Sequence, residues 1–239
     1  MSKPALAKVG VVVPILNNFK GYCEFMMSLQ SNHPLSMRVV PQWRNQVALA
    51  KAWNLGTFAC IADGCDYILI SNDDILLSPH TINHMVESFS LLPKEVVLVS
   101  ANNLFGNEQM PDPYAILSKQ PETIEEMSYS EHPNYSCFMI KADFFDKVGT
   151  FDENFYPAWF EDNDSHRRIN LLGYKGVCTT YASCIHFGGQ TSAIAGTANS
   201  EASRSYYVEK WGGIPYPAAE KFDTPYNDPK LTPKDWTPK

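Results

Sequence analysis

The sequence predicts an α/β fold, with a mostly parallel central sheet and helices on both of its faces. Short β-branched runs alternate with segments of helical periodicity, the pattern left by strand–helix–strand units. The runs are continuously apolar, as strands covered on both faces must be. No internal repeat or low-complexity tract breaks the series.

The first run is residues 9–13, bounded by Pro14. Asn17 and Asn18 open a turn, and a helix follows over residues 20–30. A second short strand covers 37–40 and stops at Pro41. Residues 45–59 place Val47, Leu49, Ala50, Trp53 and Phe58 at helical spacing. A third strand, 67–70, runs directly into Ser71-Asn72-Asp73-Asp74. Residues 79–91 read as a helix with Ser78 as its N-cap and Pro79 at its first position. Residues 96–100 form the next strand. From about 102 to 133 the pattern is irregular and contains several prolines, which reads as a loop region over the site. A strand over 136–140, a short helix over 142–148 ended by Gly149, a helix over 162–172 closed by Gly173 and a late strand or two over 176–186 follow. The organisation is one domain over residues 1–214 and a polar extension, 215–239, rich in Pro, Asp and Lys.

The 239 residues suffice for one such domain, and 44% hydrophobic and 13% aromatic residues can fill its core. Charged residues, at 19%, are too few for a mostly disordered chain. A formal net charge of −7 disfavours a nucleic-acid binder, whose phosphate contacts need clustered Lys and Arg. No stretch approaches the roughly 20 apolar residues that cross a bilayer, and the N-terminus leads into a strand rather than a signal peptide. The six cysteines are scattered without a Cys-x-x-Cys, which argues against a zinc knuckle and fits a reduced, cytoplasmic setting.

Three features carry chemistry. Asn72-Asp73-Asp74 follows an apolar strand, at the sheet edge where open α/β folds bind ligands. Two adjacent carboxylates there suit a hard divalent cation carrying a diphosphate; the plainer role of such a turn is to end the strand. Trp159-Phe160-Glu161-Asp162-Asn163-Asp164 sets carboxylates among aromatics, where desolvation tunes a general base; Asp162 would equally satisfy amides at a helix N-terminus. His186 ends the late strand before Gly188 and Gly189, and a neutral imidazole is a good ligand for first-row metals. A lone histidine after a strand is also commonly structural.

Taken in order, the first strand with Pro14, then Asn54-Leu55-Gly56, the strand ending in Asn72-Asp73-Asp74, Phe138-Met139-Ile140-Lys141, Val148-Gly149-Thr150-Phe151-Asp152-Glu153, Glu161-Asp162-Asn163-Asp164, Gly173-Tyr174 and His186 form a series. That series resembles the family 2 glycosyltransferases with the GT-A fold, from about residue 9 to 213. The resemblance implies a Rossmann-like nucleotide-binding half and an acceptor half. It implies inverting transfer from a nucleotide-diphosphate sugar to a glycan or other hydroxyl-bearing acceptor, assisted by Mn2+ or Mg2+. Asp74, last in the DXD-like turn, and His186 would hold the metal. Asp73 would lie near the donor ribose, with Pro14 also at the donor site. Asp162 would be the base and Glu161 its neighbour, orienting acceptor or base.

The chain departs from many relatives after the second strand, where Val39 to Asn45 has no carboxylate for the nucleobase. Trp43 can stack on a base there and Gln42 can bond its edge, unless Trp43 is simply packed. Lys210, or Arg204, in the 204–213 segment is a candidate to close over the diphosphate; that segment reads equally as a surface helix ending at Gly212. Competing readings are a sugar nucleotidyltransferase, a non-catalytic sugar-nucleotide or glycan-binding module, and a metal-dependent hydrolase. The first would show a Gly-rich, basic phosphate loop after the first strand, where Ile15-Leu16-Asn17-Asn18 stands instead.

Overall fold

A computed structural model describes residues 6–42, 47–104, 112–124, 127–190 and 200–212. Its centre is an eight-stranded sheet, with β1 (Val9–Ile15), β2 (Leu35–Pro41), β3 (Tyr67–Ser71), β4 (Ile75–Leu77), β5 (Val96–Asn103), β6 (Tyr129–Ser130), β7 (Cys137–Lys141) and β8 (Lys175–His186). The order is β2-β1-β3-β7-β5-β8-β4, and β6 pairs with β8. The pairings β1–β2, β1–β3 and β5–β8 are parallel, whereas β7 lies antiparallel to both β3 and β5. β4 and β6 run antiparallel to β8. Five of the eight strands therefore point one way, which bears out the mostly parallel expectation.

The apolar strands supply two cores, one on each face. Val9, Val11 and Val13 of β1 face a cluster completed by Phe25 of α1 (Phe19–Ser28) and by Ile82, Met85 and Phe89 of α3 (Thr81–Leu91). Val12, between them in sequence, faces the opposite cluster with Trp53 of α2 (Leu49–Ala62), Phe144 of α5 (Phe144–Lys147) and Ile169 of α6 (Glu161–Leu171). This is the period-two alternation of a strand covered on both sides. α4 (Pro113–Leu117) and α7 (Glu201–Trp211) complete the helices among the described residues. α7 brings Tyr207 and Trp211 onto Phe155 and Phe160 in a small separate cluster.

The N-terminus of α3 differs from expectation. Ile75–Leu77 forms a strand against β8, and the Ser78 amide continues it by donating to Ser183 O (3.1 Å). The helix therefore starts later, at Thr81, with His80 in the cap position and no side-chain cap. Gly149, Gly173 and Gly212 follow their helices at positive φ, as expected. The 102–133 segment, read as loop, also holds α4 and β6. The 215–239 extension lies outside the described residues. No helix among the described residues is long and apolar enough to cross a membrane.

Candidate active site

The acidic turn stands at the carboxyl end of β3, between that strand and the short β4. Asp73 and Asp74 are both buried, at 4% and 5% exposure. Two elements hold the turn. On one side the Asn72 amide donates to Ser136 O (2.8 Å) at the entry to β7. On the other, α1 abuts it through Asn18. The Asn18 amide nitrogen lies 3.5 Å from Asp73 Oδ1, and its oxygen caps the helix by accepting from the Gly21 amide (3.1 Å). A Cβ on Gly21 would sit 2.5 Å from Asp73 O and 2.2 Å from Asn18 Nδ2, so a glycine is what lets α1 approach.

β8 delivers the histidine to the same place. Ile75 is in register with His186, and the Phe187 amide donates to Asp74 O (3.1 Å). His186 Nε2 then lies 3.1 Å from Asp74 Oδ1. The His186 amide donates to Asn103 Oδ1 (3.0 Å), which ties the strand end to β5. Gly188 and Gly189 turn the chain away with φ of 64° and 67°, values that an L side chain resists.

Among the described residues no group of three or more His, Cys, Asp or Glu side chains surrounds one point. The Asp74–His186 pair nevertheless suits Mn2+ or Mg2+. Such ions are held by one or two protein ligands together with the phosphates of a substrate, and a carboxylate oxygen beside an imidazole nitrogen is a donor set that manganese accepts.

The second acidic cluster is presented by a tightly turned segment. Trp159 and Phe160 both adopt left-handed backbone (φ 80° and 69°), a costly conformation for large side chains. It leads into α6 at Glu161. Three contacts hold the segment: Leu49 N donates to Pro157 O (3.0 Å), and Ser203 Oγ donates to Ala158 O (2.8 Å) and Tyr156 O (3.3 Å). Upstream, the buried Asn54 clamps Phe151, donating to its carbonyl (2.8 Å) and accepting from its amide (3.0 Å). Phe160 tucks into the core and Trp159 stays 38% exposed.

Glu161 and Asp162 have unlike surroundings. Glu161 is 4% exposed, and burial, reinforced by the charges of Asp162 and Asp164, pushes its carboxyl well above the usual range. Burial thus favours its neutral form. Asp162 is half-buried, and its Oδ1 accepts from the Asn163 amide (2.8 Å). Tyr135 joins the two acidic clusters. It is buried, its hydroxyl is pushed up by burial and by the Asp162 charge, and it is followed by Ser136, whose carbonyl holds Asn72.

Other expected site residues fall elsewhere. Pro14 lies within β1, in register with Val40 of β2 and beyond the Val9–Val12 pairing with β3; the strand continues to Ile15 rather than stopping at Pro14. Gln42 is buried, and its amide nitrogen donates to Val47 O (3.1 Å), closing the chain onto α2. Trp43 lies outside the described residues. Lys210 Nζ sits 2.6 Å from Asp152 Oδ2 and 2.6 Å from Asp164 Oδ1. Arg204 pairs with Glu201 at 3.8 Å on the surface of α7. Asn54, Asn103 and Tyr135 were not singled out for a role at the site from sequence; only Asn54 stood in the quoted series.

The architecture is that of GT-A glycosyltransferase catalytic domains. The catalytic domain of Drosophila β1,4-galactosyltransferase 7, solved with xylobiose, superposes with a TM-score of 0.54 at 13% identity, covering 76% of this chain and 71% of that one. GalNAc-T7 with UDP, GalNAc and Mn2+ gives a TM-score of 0.61 at 12% identity over 87% of this chain and 49% of that one. In sequence, the chain is 27% identical over 189 residues to a galactofuranosyl glycosyltransferase of Leishmania donovani, covering 63% of this chain and 43% of the relative. It thus spans less than half the length of that relative. No protein-family model matches the chain.

Proposed function

We propose that the chain is a glycosyltransferase of the family 2 type, which moves a sugar from a nucleotide-diphosphate donor to an acceptor hydroxyl with inversion. The observation that carries this reading is the meeting of Asp74 and His186 at 3.1 Å on the carboxyl edge of a GT-A sheet. Asp74 and His186 would hold Mn2+ or Mg2+, which supplies charge compensation for the departing diphosphate. Asp73 and Pro14 border the donor site. Asp162 is the base: it takes the proton of the acceptor hydroxyl as that oxygen bonds to the anomeric carbon. The bond from that carbon to the diphosphate oxygen breaks on the opposite face, and the nucleoside diphosphate leaves with the electron pair. Glu161, whose burial favours the neutral form, competes less for the proton.

The test is thermal stability with UDP, GDP, dTDP, CDP and ADP, each with and without manganese. UDP comes first, because the GalNAc-T7 structure contains it. One nucleotide is expected to raise the Tm only with metal, and Asp74→Ala to abolish the shift. Asp162→Asn should keep the shift and lose transfer. No shift with any nucleotide would sink the donor site, and release of free sugar without an acceptor would make the chain a hydrolase.

A further inference from the structure

Lys210 lies in the last turn of α7, and its ammonium is shared by two carboxylates from different parts of the chain. Asp152 belongs to the turn that precedes the Glu161–Asp162 segment. Its Oδ2 also accepts from Tyr206 Oη (2.8 Å), and its Oδ1 from the Asn154 amide (3.0 Å). Asp164, fully buried, lies in the first turn of α6 itself. It accepts from Arg168 Nε (3.0 Å) and from Trp211 Nε1 (2.9 Å) as well as from Lys210. α7 is thus latched by two consecutive residues, Lys210 and Trp211, onto a carboxylate two positions from Asp162.

We propose that Lys210 is a positioning residue that latches α7 to the acidic turn of α6 and balances that turn's charge, in place of closing over a diphosphate. The charges that face the turn support a balance. Beside Glu161, whose burial favours the neutral form, the carboxylates are Asp152, Asp162 and Asp164. The cations are Arg168, Lys210 and Arg167, the last fully buried with its guanidinium 4.3 Å over the Trp211 ring. Tyr135 faces them from the entry to β7, and Tyr206 and Tyr207 from α7; all three hydroxyls are pushed up and stay neutral. His166 packs edge-on to the Tyr135 ring and beside Gly176, and burial keeps it neutral. Removing Lys210 therefore leaves the turn with an excess negative charge, which makes every carboxyl in it harder to ionise.

Only the kinetic readout of this proposal rests on the transferase reading. Lys210→Met keeps the aliphatic stem and Lys210→Arg keeps the charge. The acid limb of the kcat profile should move up by about half a pH unit or more in Lys210→Met, return in Lys210→Arg, and move down in Asp152→Asn. The affinity for UDP with Mn2+ should change less than about threefold in all three, since none of them touches the phosphates. A tenfold loss of nucleotide affinity in Lys210→Met with an unmoved acid limb would make Lys210 a phosphate ligand and overturn the proposal.

A second readout needs no turnover. Burial works against ionisation of Asp152, but Lys210 holds its carboxyl below the usual range. The stabilisation is therefore present above the unfolded value and lost as pH falls through the folded one. The Tm deficit of Lys210→Met should be clear at pH 7 and shrink below about pH 4. A deficit that is absent at pH 7, or as large in acid, overturns the latch even if the chain transfers no sugar.

Discussion

At the scale of single residues, the roles proposed for Glu161 and Asp162 rest on their contrast in burial. Two adjacent carboxyls cannot both ionise cheaply in poor solvation, and the more deeply buried one keeps the proton. That one is Glu161. Glu161→Gln preserves the shape and neutrality of a protonated carboxyl, so kcat should fall by no more than about tenfold. Asp162→Asn removes the less buried carboxyl of the two, and kcat should fall a hundredfold or more. Steady-state kinetics on the two variants checks the order, and a larger loss in Glu161→Gln would reverse the roles. The sequence displays both acids among aromatics but not which is deeper, because burial depends on how Phe160 and α7 pack. Lys210 shows the same limit. A lysine near a glycine turn suggests a phosphate contact, and only the long-range approach of Asp152 and Asp164 reveals its carboxylate partners.

At the scale of elements, the site is held by contacts between elements distant in sequence. Asn54, in the middle of α2, bonds both backbone groups of Phe151 and so fixes the start of the segment that leads to Asp162, the proposed base. Asn54→Ala leaves a buried amide and carbonyl unsatisfied, a loss of about 1–3 kcal/mol. It should lower kcat more than the affinity for nucleotide, because the acidic turn rests on β7 and α1 instead. Denaturant unfolding and nucleotide titration together test this. Gly21→Ala should do the opposite. A methyl group 2.5 Å from Asp73 O forces α1 away from the acidic turn, and metal-dependent nucleotide affinity should drop about tenfold or more while the base segment keeps its place. The strands that made these elements legible are the continuous apolar runs, β1, β3 and β5. β4 was missed because three residues carry no periodicity, and the direction of β7 because pairing partners leave no local trace.

At the scale of the whole molecule, the sheet order brings the acidic turn, β7 and β8 to one edge, and the buried titratable groups there and beneath it make stability depend on pH in two opposed ways. Burial, helped by the His132 charge, lowers His166 to about 3. The unfolded chain takes up a proton at this position near pH 6.5 that the folded chain refuses, so stability falls as pH drops from about 6.5 toward 3, by at most ~1.4 kcal/mol per pH unit. Glu161 acts with the other sign. Its folded value is raised, so between that value and the unfolded one near pH 4.3 the folded chain holds a proton the unfolded chain has lost. As pH drops through that interval, the Glu161 contribution rises and offsets part of what His166 loses. The wild-type Tm should consequently fall less steeply above about pH 4.3 than His166 alone dictates, and more steeply below it, where the Glu161 contribution is complete and both His166 and the lowered Asp152 lose stability. In Glu161→Gln the compensation is gone. Its Tm should exceed that of the wild type at pH 7.5, where an ionisable buried carboxyl is a liability, and then decline steadily from about pH 6.5 downward. Melting curves of both proteins across this range test the pair of assignments together. Parallel profiles would show that Glu161 titrates like an ordinary exposed glutamate, and Asp162 would then lose the physical reason for being the sole base.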